Sequence, residues 1–370
     1  MRVDALALED WRNYERQSVD LSPGLNLVVG ANAQGKTNLL EAAYCLSGFG
    51  SPRAADAALV RHGCERALLH ASVERRGRTV RIDLEVRPGR GSRALLNKTP
   101  VQPRLLGDVC VSVFFGPDEL SLVKGSPDGR RRVLDELIVK LRPARDGIRR
   151  EFERTLKQRN ALLKSAPRGG SATVSSTLDV WDAALARAGA ALAAARLEAL
   201  TGLIPLAAKR YAEVAGAGTL TLEYASSWVG ENTAPDAASL EEQLRAAIAE
   251  ARPREIERGV GLVGPQRDDV SVILDGVDAR VFASQGDQRT CALALKLGEH
   301  DLLSDALGEE PVLLLDDVFS ELDPSRRAWL ADAVRSIGQT LVSTAEPVAL
   351  DALSPGATFS VAGGTVVRSA

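Results

Sequence analysis

Apolar and polar residues alternate over Val3–Leu8, while Leu25–Val29 is an almost unbroken apolar run that stops at Gly30. Period-two alternation predicts a half-buried strand, and a short continuous run ending in a turn predicts a strand buried on both faces. Lys36–Leu46 carries a helical pattern. Paired strand patterns follow, Leu68–Val73 and Val80–Val86 around Arg75-Arg76-Gly77, then Leu95–Val101 around Asn97-Lys98. Val109–Phe115 again predicts a buried strand. From Pro117 to about Arg254 the period changes: Trp181, Leu185, Ala188, Leu192 and Ala195 recur at spacings of three and four, a helical stripe. Breaks rich in glycine, serine or proline fall at 167–176 and 230–238. Strands return at Val270–Leu274, Val312–Leu315 and Thr340–Ser343, with a helix starting at Ser284. This order predicts an α/β protein. One sheet lobe is built from both ends of the chain, 1–115 plus 256–370, and a mainly helical lobe, 116–255, is inserted between them.

Bulk properties narrow the picture little. The 370 residues are 45% hydrophobic with a net charge of −3. Met1–Tyr14 has no signal-peptide core and no apolar run approaches the roughly 20 residues of a membrane span. Four cysteines without a C-x-x-C pair point to a reducing cytoplasm and away from a cysteine metal site. Charge is uneven, however: Arg130–Arg168 holds thirteen basic residues against five acids. Such a block reads either as a solvated helix face or as a nucleic-acid contact.

The chemistry lies in three short stretches. Gly30-Ala31-Asn32-Ala33-Gln34-Gly35-Lys36-Thr37 satisfies G-x-x-x-x-G-K-[ST] between a strand and a helix. Its backbone N–H groups can surround a phosphate at a helix N-terminus. Lys36 can reach the outer phosphates, and Thr37 can ligate Mg²⁺. Leu313–Leu315 leads into Asp316 and Asp317; Asp316 is placed to hold Mg²⁺ and Asp317 to orient or deprotonate water. The third stretch is Ser284-Gln285-Gly286-Asp287-Gln288. Ser284 with Asp287 is a capping-box-like helix start, and Gly286 lets an oxygen approach the backbone. With one phosphate loop already present, this device fits a nucleotide bound to another copy, an arrangement similar to the ABC-type ATPases. A plain helix cap is compatible with it.

Together these stretches resemble the RecF family of bacterial DNA-repair ATPases, related to the heads of SMC proteins and Rad50. GANAQGKTNLLEA, VFFGPDELSLVKGSPDGRRRVLDEL, GPQRDD, ASQGDQRTCALALKLGE and LLLDDVFSELD carry the likeness, in that order along the chain. The resemblance implies an ABC-type P-loop head using ATP and Mg²⁺, an ATP-dependent homodimer, and slow hydrolysis that times release from DNA. It implies DNA partners at single-strand/duplex boundaries, the RecR and RecO mediators, and support of RecA loading. It places Arg12 and Asn13 of W-R-N-Y, together with Ser284, Gly286 and Gln288, among nucleotide contacts; an edge-strand role for W-R-N-Y stays open. Within the basic block, Arg149, Arg150, Arg154 and Lys157 fall near one helix face and are the expected DNA contacts. Arg131 and Arg132 are candidates for bracing the lobe or the nucleotide.

Two positions depart from the family pattern: Gln266 replaces a histidine, and Asp287 a glutamine. A carboxylate at 287 would repel a phosphate unless turned back onto the cap. The three histidines, His62, His70 and His300, read as structural. A transporter ATP-binding subunit is a rival reading, opposed by the long insert and the missing switch histidine. A structural SMC or Rad50 head is another, opposed by the absence of sustained heptads. A P-loop kinase would not need the Ser284 stretch.

Overall fold

In a computed structural model the chain is described over residues 1–165, 172–230, 236–345 and 354–369. It opens with β1 (Arg2–Trp11), β2 (Tyr14–Asp20), β3 (Leu25–Val29) and α1 (Lys36–Cys45). β4 (Ala67–Arg75), β5 (Arg78–Val86), β6 (Arg93–Leu96), β7 (Thr99–Val101) and β8 (Ser112–Phe115) follow. Next come α2 (Ser121–Lys124), α3 (Pro127–Leu141), α4 (Asp146–Ser165), α5 (Ala172–Ala215), β9 (Leu220–Ala225) and α6 (Ala237–Arg258). β10 (Asp269–Leu274), β11 (Val277–Asp278) and α7 (Ala279–Phe282) lead to α8 (Gln285–Leu307). The chain closes with β12 (Val312–Asp316), α9 (Pro324–Arg335), β13 (Thr340–Thr344), β14 (Ala357–Ala362) and β15 (Thr365–Arg368).

Two compact units result. The first comprises Met1–Leu120, Leu206–Gly218 and Ser284–Ala370. It holds an antiparallel sheet in the order β2-β1-β4-β5-β6-β7 and a second sheet in the order β15-β14-β3-β13-β12-β8. In the second sheet every pairing is parallel except β14 with β15. That explains why β3, β8 and β12 are mostly apolar, and why β13, although it carries Thr340, Ser343 and Thr344, is buried throughout: strands covered on both faces need no exposed polar side. α1 packs against β1 of one sheet and β8, β12 and β13 of the other, which buries Leu39, Leu40, Ala42 and Ala43. The turns follow their chemistry. Arg76 and Gly77, and Asn97 and Lys98, have positive φ, as two-residue hairpin turns of the favoured hand require.

The second unit comprises Ser121–Pro205 and Thr219–Ala283. Leu185, Ala188 and Leu192 of the helical stripe form a core with Phe152, Leu240, Leu244 and Ile248. Gly189 lets the helices close: a Cβ there would lie 2.6 Å from Leu244 Cδ2. By length and composition Ser176–Ala215 could cross a membrane. The alternating alanines and leucines give it this hydropathy without a long unbroken apolar run, and half of its most apolar window is buried in the protein.

The division differs from the sequence expectation at two places. Leu220–Ala225, which falls in the region of helical pattern, is β9, paired antiparallel along its whole length with β10. That ladder draws residues 219–283 into the second unit, whereas 256–283 was expected in the first. Conversely, the last turns of α5 belong to the first unit. There Ala207 sits where a Cβ on Gly298 would meet its backbone N at 2.8 Å, and Arg210 forms a bidentate pair with Asp301 at 2.6 and 2.7 Å. Pro205, which has no N–H to donate, falls where α5 passes from one unit to the other. Gly298 is interior to α8. The two expected breaks lie partly outside the described residues, as does Arg168.

The family-like stretches of the second unit act as its clasps. Arg130 binds both oxygens of Asp269 at 2.8 and 2.7 Å. Arg131 donates to the carbonyl of Asp268, and so braces the lobe. Arg196 pairs with Asp135 and donates to Pro265 O. The buried Asp268 carboxylate accepts from Tyr224 Oη and Trp228 Nε1; burial raises its pKa, while these hydrogen bonds oppose the rise. Gln266 closes its own turn, donating from Nε2 to Val263 O at 2.8 Å.

Arg159 is completely buried, with Nε on Asp182 and Nη2 on Glu255, both at 2.6 Å. Replacing it by leucine would take the cation from the completely buried Glu255 and leave Asp182 with Arg252 alone, 3.4 Å away. The expected loss is about 3–5 kcal/mol of stability, read by urea denaturation; a loss below about 1 kcal/mol, the range of an exposed pair, would contradict this role.

Candidate nucleotide-binding site

The first unit gathers the phosphate-loop and carboxylate residues at the carboxyl ends of three adjacent strands. β3 ends in the loop 30–35, β13 lies beside it, and β12 lies beyond β13. Val28, Ser343 and Asp316 share one row of the ladder. At the end of this row Thr37 Oγ1 donates to Asp316 Oδ1 at 2.9 Å, and Ser343 Oγ donates to the same oxygen at 2.6 Å. Arg53 Nη1 stands 3.7 Å from Asp316 Oδ2. Burial raises the Asp316 pKa, opposed by the two hydroxyl hydrogen bonds and the Arg53 charge. A buried carboxylate, two hydroxyls and a half-buried neighbouring carboxylate form a hard oxygen donor set. That chemistry fits Mg²⁺, which is typically held by few protein ligands plus phosphate and water. Asp317 adopts a left-handed conformation, φ 52°, its N–H held by Ser343 O and Oγ, and its Oδ1 is buried without a hydrogen-bond partner.

A cleft of about 300 Å³ opens here, lined by Asn32, Ala33, Gly35, Lys36, Thr37, Asn38, Arg53 and Asp317. Lys36 folds back across it, Nζ donating to Gly30 O at 2.7 Å and Ala31 O at 3.0 Å. The loop geometry depends on its glycines. Gly35 has φ +121°, and a Cβ on Gly30 would lie 2.3 Å from Val361 O.

W-R-N-Y supports this loop from behind. Trp11 Nε1 donates to Asn38 O, Asn13 Nδ2 to Gln34 O, and Tyr14 Oη to Gly35 O. Arg12 forms a bidentate pair with Glu41 on α1, both contacts 2.7 Å. The sequence reading expected Arg12 and Asn13 at the nucleotide; here their side chains are engaged by the loop and helix that would hold it. The Gln34 side chain adds an acceptor for Gly363 N–H, tying the loop to the β14–β15 turn. Arg53 lies in a stretch with no recognisable motif, so the sequence reading missed it.

Ser284, Gly286 and Gln288 lie at the start of α8. Ser284 is exposed and caps the helix: Asp287 N–H donates to Ser284 Oγ at 3.2 Å, and Ser284 Oγ donates to Asp287 Oδ2 at 2.7 Å. The Asp287 carboxylate is thus turned back onto the cap. Gln288 is only 2% exposed, in contrast to the surface position expected of a nucleotide contact. A helix side chain at that register faces the core, since Cys291, Ala292 and Leu295 continue the buried face.

The expected DNA contacts lie on α4 in the second unit. Arg149 pairs with Glu153 at 2.7 Å, Arg150 with Asp146 at 3.1 Å and Arg154 with Glu151 at 2.6 Å, while Lys157 is exposed. These are local pairs one helical turn apart; the arginines are exposed enough to meet another anion, although Asp146 itself is buried.

Residues 2–357 match the family described as RecF/RecN/SMC N terminal domain. A DNA replication and repair protein RecF of Streptomyces avermitilis is 48% identical over 375 residues, covering 100% of both chains. One of Beutenbergia cavernae is 44% identical over 397 residues with the same coverage. The solved structure of the recombination mediator protein RecF-ATP in the RecFOR pathway matches with a TM-score of 0.91 and 27% identity, covering 100% of this chain and 97% of that one. A SmcHead bound to the C-winged helix domain of ScpA matches at 0.56 and 16% identity, over 100% and 97% of the two chains, which shows a shared fold alone.

Gly35→Ala tests the loop geometry. A side chain at φ +121° is strained, and its Cβ would lie 2.7 Å from Asn13 Nδ2 and 2.9 Å from Tyr14 Oη. Strain of about 1–3 kcal/mol should weaken nucleotide binding by about tenfold or more, measured by titration calorimetry. Unchanged affinity would remove Gly35 from the site.

Proposed function

The chain belongs to the RecF family of DNA replication and repair proteins, and from that premise we propose an ATP-driven clamp that pairs two copies on DNA. The observation that carries this reading is the Thr37–Asp316 hydrogen bond, 2.9 Å long, beside a cleft lined by the phosphate loop. On this reading ATP is held in the cleft. Lys36 exchanges the Gly30 and Ala31 carbonyls for phosphate oxygens, and the N–H groups of Ala31, Asn32, Ala33, Gln34 and Gly35 line the phosphate path. Thr37 and Asp316 would hold Mg²⁺, which when bound neutralises phosphate charge. Asp317, with a carboxylate oxygen that lacks a partner inside the protein, orients or deprotonates the attacking water. Ser284 and Gly286 then face the phosphate bound by a second copy, so association requires ATP and ends after its slow hydrolysis.

The same reading assigns DNA at single-strand/duplex boundaries as the substrate, RecR and RecO as partners, and RecA loading, gap repair and the SOS response as the setting, in the cytoplasm. These assignments rest on family membership. Arg149, Arg150, Arg154 and Lys157 are proposed to contact the phosphate backbone, releasing their acidic neighbours as they do so. Reversing the charge of Arg149 and Arg150 should lower DNA affinity and flatten its salt dependence, each lost contact removing about 0.9 from the log–log slope. A wild-type slope would return α4 to a solvated role.

Two variants test the clamp together. Lys36→Met should lose nucleotide binding and association while keeping its fold. Ser284→Arg should bind ATP yet fail to associate, because the arginine fills the space of the partner's phosphate. A mixed pair contains one intact site, joining Lys36 of one copy to Ser284 of the other. ATP-dependent association and nucleotide trapping should therefore exceed those of either variant alone. Absence of both, measured by sedimentation and filter trapping, would place Ser284 in service of its own chain.

A further inference from the structure

Asp287 puts a negative charge in the first turn of α8, next to the glycine that the proposed clamp uses. One oxygen accepts from Ser284 Oγ at 2.7 Å, and the other accepts from Arg326 Nη2 at 3.3 Å. Arg326 is on the first turn of α9, more than thirty residues along the chain. Its Nε stands 3.3 Å from Asp323, the residue that caps α9 through the N–H groups of Ser325 and Arg326. The guanidinium also overlies the glycine itself: a Cβ on Gly286 would lie 3.0 Å from Arg326 Nη1. The turn therefore carries a carboxylate whose two oxygens are both engaged, and a cation beside the open backbone.

We propose that Arg326 is a positioning residue of the clamp: by neutralising Asp287 it leaves the turn at Gly286 free to accept the phosphate of a second copy. This rests on the reading of Ser284 and Gly286 as that clamp. A phosphate brought to an uncompensated carboxylate would meet like-charge repulsion, which costs an interface far more than an exposed ion pair contributes to folding. Asp287 and Arg326 thus form a coupled pair. With both present the turn accepts an anion, and with the arginine removed the aspartate opposes one. The pair joins the α8 and α9 termini, so the same contact fixes the approach of the Asp323 turn.

The coupling is measured with four proteins: wild type, Arg326→Ala, Asp287→Asn, and the double variant. Each is assayed for ATP affinity as a monomer and for ATP-dependent association by sedimentation. Arg326→Ala should keep its ATP affinity and lose association by about tenfold or more, the range of an unpaired interfacial charge. Asp287→Asn alone should associate within about threefold of wild type, since it removes the charge that needs neutralising. Adding Asp287→Asn to Arg326→Ala should recover most of the lost association, a rescue that a merely structural role for Arg326 would not produce. No loss on Arg326→Ala, or a double variant no better than Arg326→Ala, overturns the proposal. Lack of ATP-dependent association in the wild type would instead overturn the clamp reading.

Discussion

Two hydroxyls on one carboxylate oxygen hold the site together. Thr37 is in the first turn of the helix after β3, Ser343 is on β13, and Asp316 ends β12. Their meeting requires β3, β13 and β12 to lie side by side in parallel register, which brings residues near position 30 against residues near 316 and 343. A buried carboxylate without such partners would be costly. With them it is a fixed acceptor at the mouth of a cleft, and the parallel strands that deliver it must be covered on both faces. The apolar sequences of β3, β8 and β12 follow from that requirement.

The loop beside this carboxylate is shaped by constraints from several directions. Gly35 and Gly30 permit backbone paths that a side chain would obstruct, Asn13 and Tyr14 hold the loop's carbonyls from the strand side, and Trp11 holds the first turn of α1. Glu41 is completely buried on α1 and is compensated by the bidentate Arg12. A site of this kind is preorganised before ligand arrives: its donors are already aimed, and Lys36 is held over the cleft by carbonyls it can exchange. The second unit is organised by different means. Arginine–carboxylate clasps, Arg130–Asp269, Arg196–Asp135 and Arg159 with Asp182 and Glu255, link its helices and strands around an alanine- and leucine-rich core.

Local pattern alone revealed β3, α1, β12 and β13 because each has one dominant period and a clear stop. It also revealed the phosphate loop and the paired aspartates, since their chemistry is written in consecutive residues. Leu220–Ala225 alternates with period two but was lost because it is only six residues long and lies inside a stretch of helical pattern; its partner β10 is more than forty residues away. Likewise the boundary between the units follows pairing, not composition.

The sequence by itself determined the family, the α/β class and the residues able to bind a phosphate, because those depend on residue types at short spacing. Only the tertiary structure decided what each of them touches. It engaged Arg12 with Glu41, buried Gln288, and brought Arg53 to Asp316 across a stretch without a motif. It also turned Asp287 from an apparent obstacle into half of an ion pair with Arg326. Such contacts join residues tens to hundreds of positions apart, and their geometry is set by how strands and helices pack. No local spacing records that.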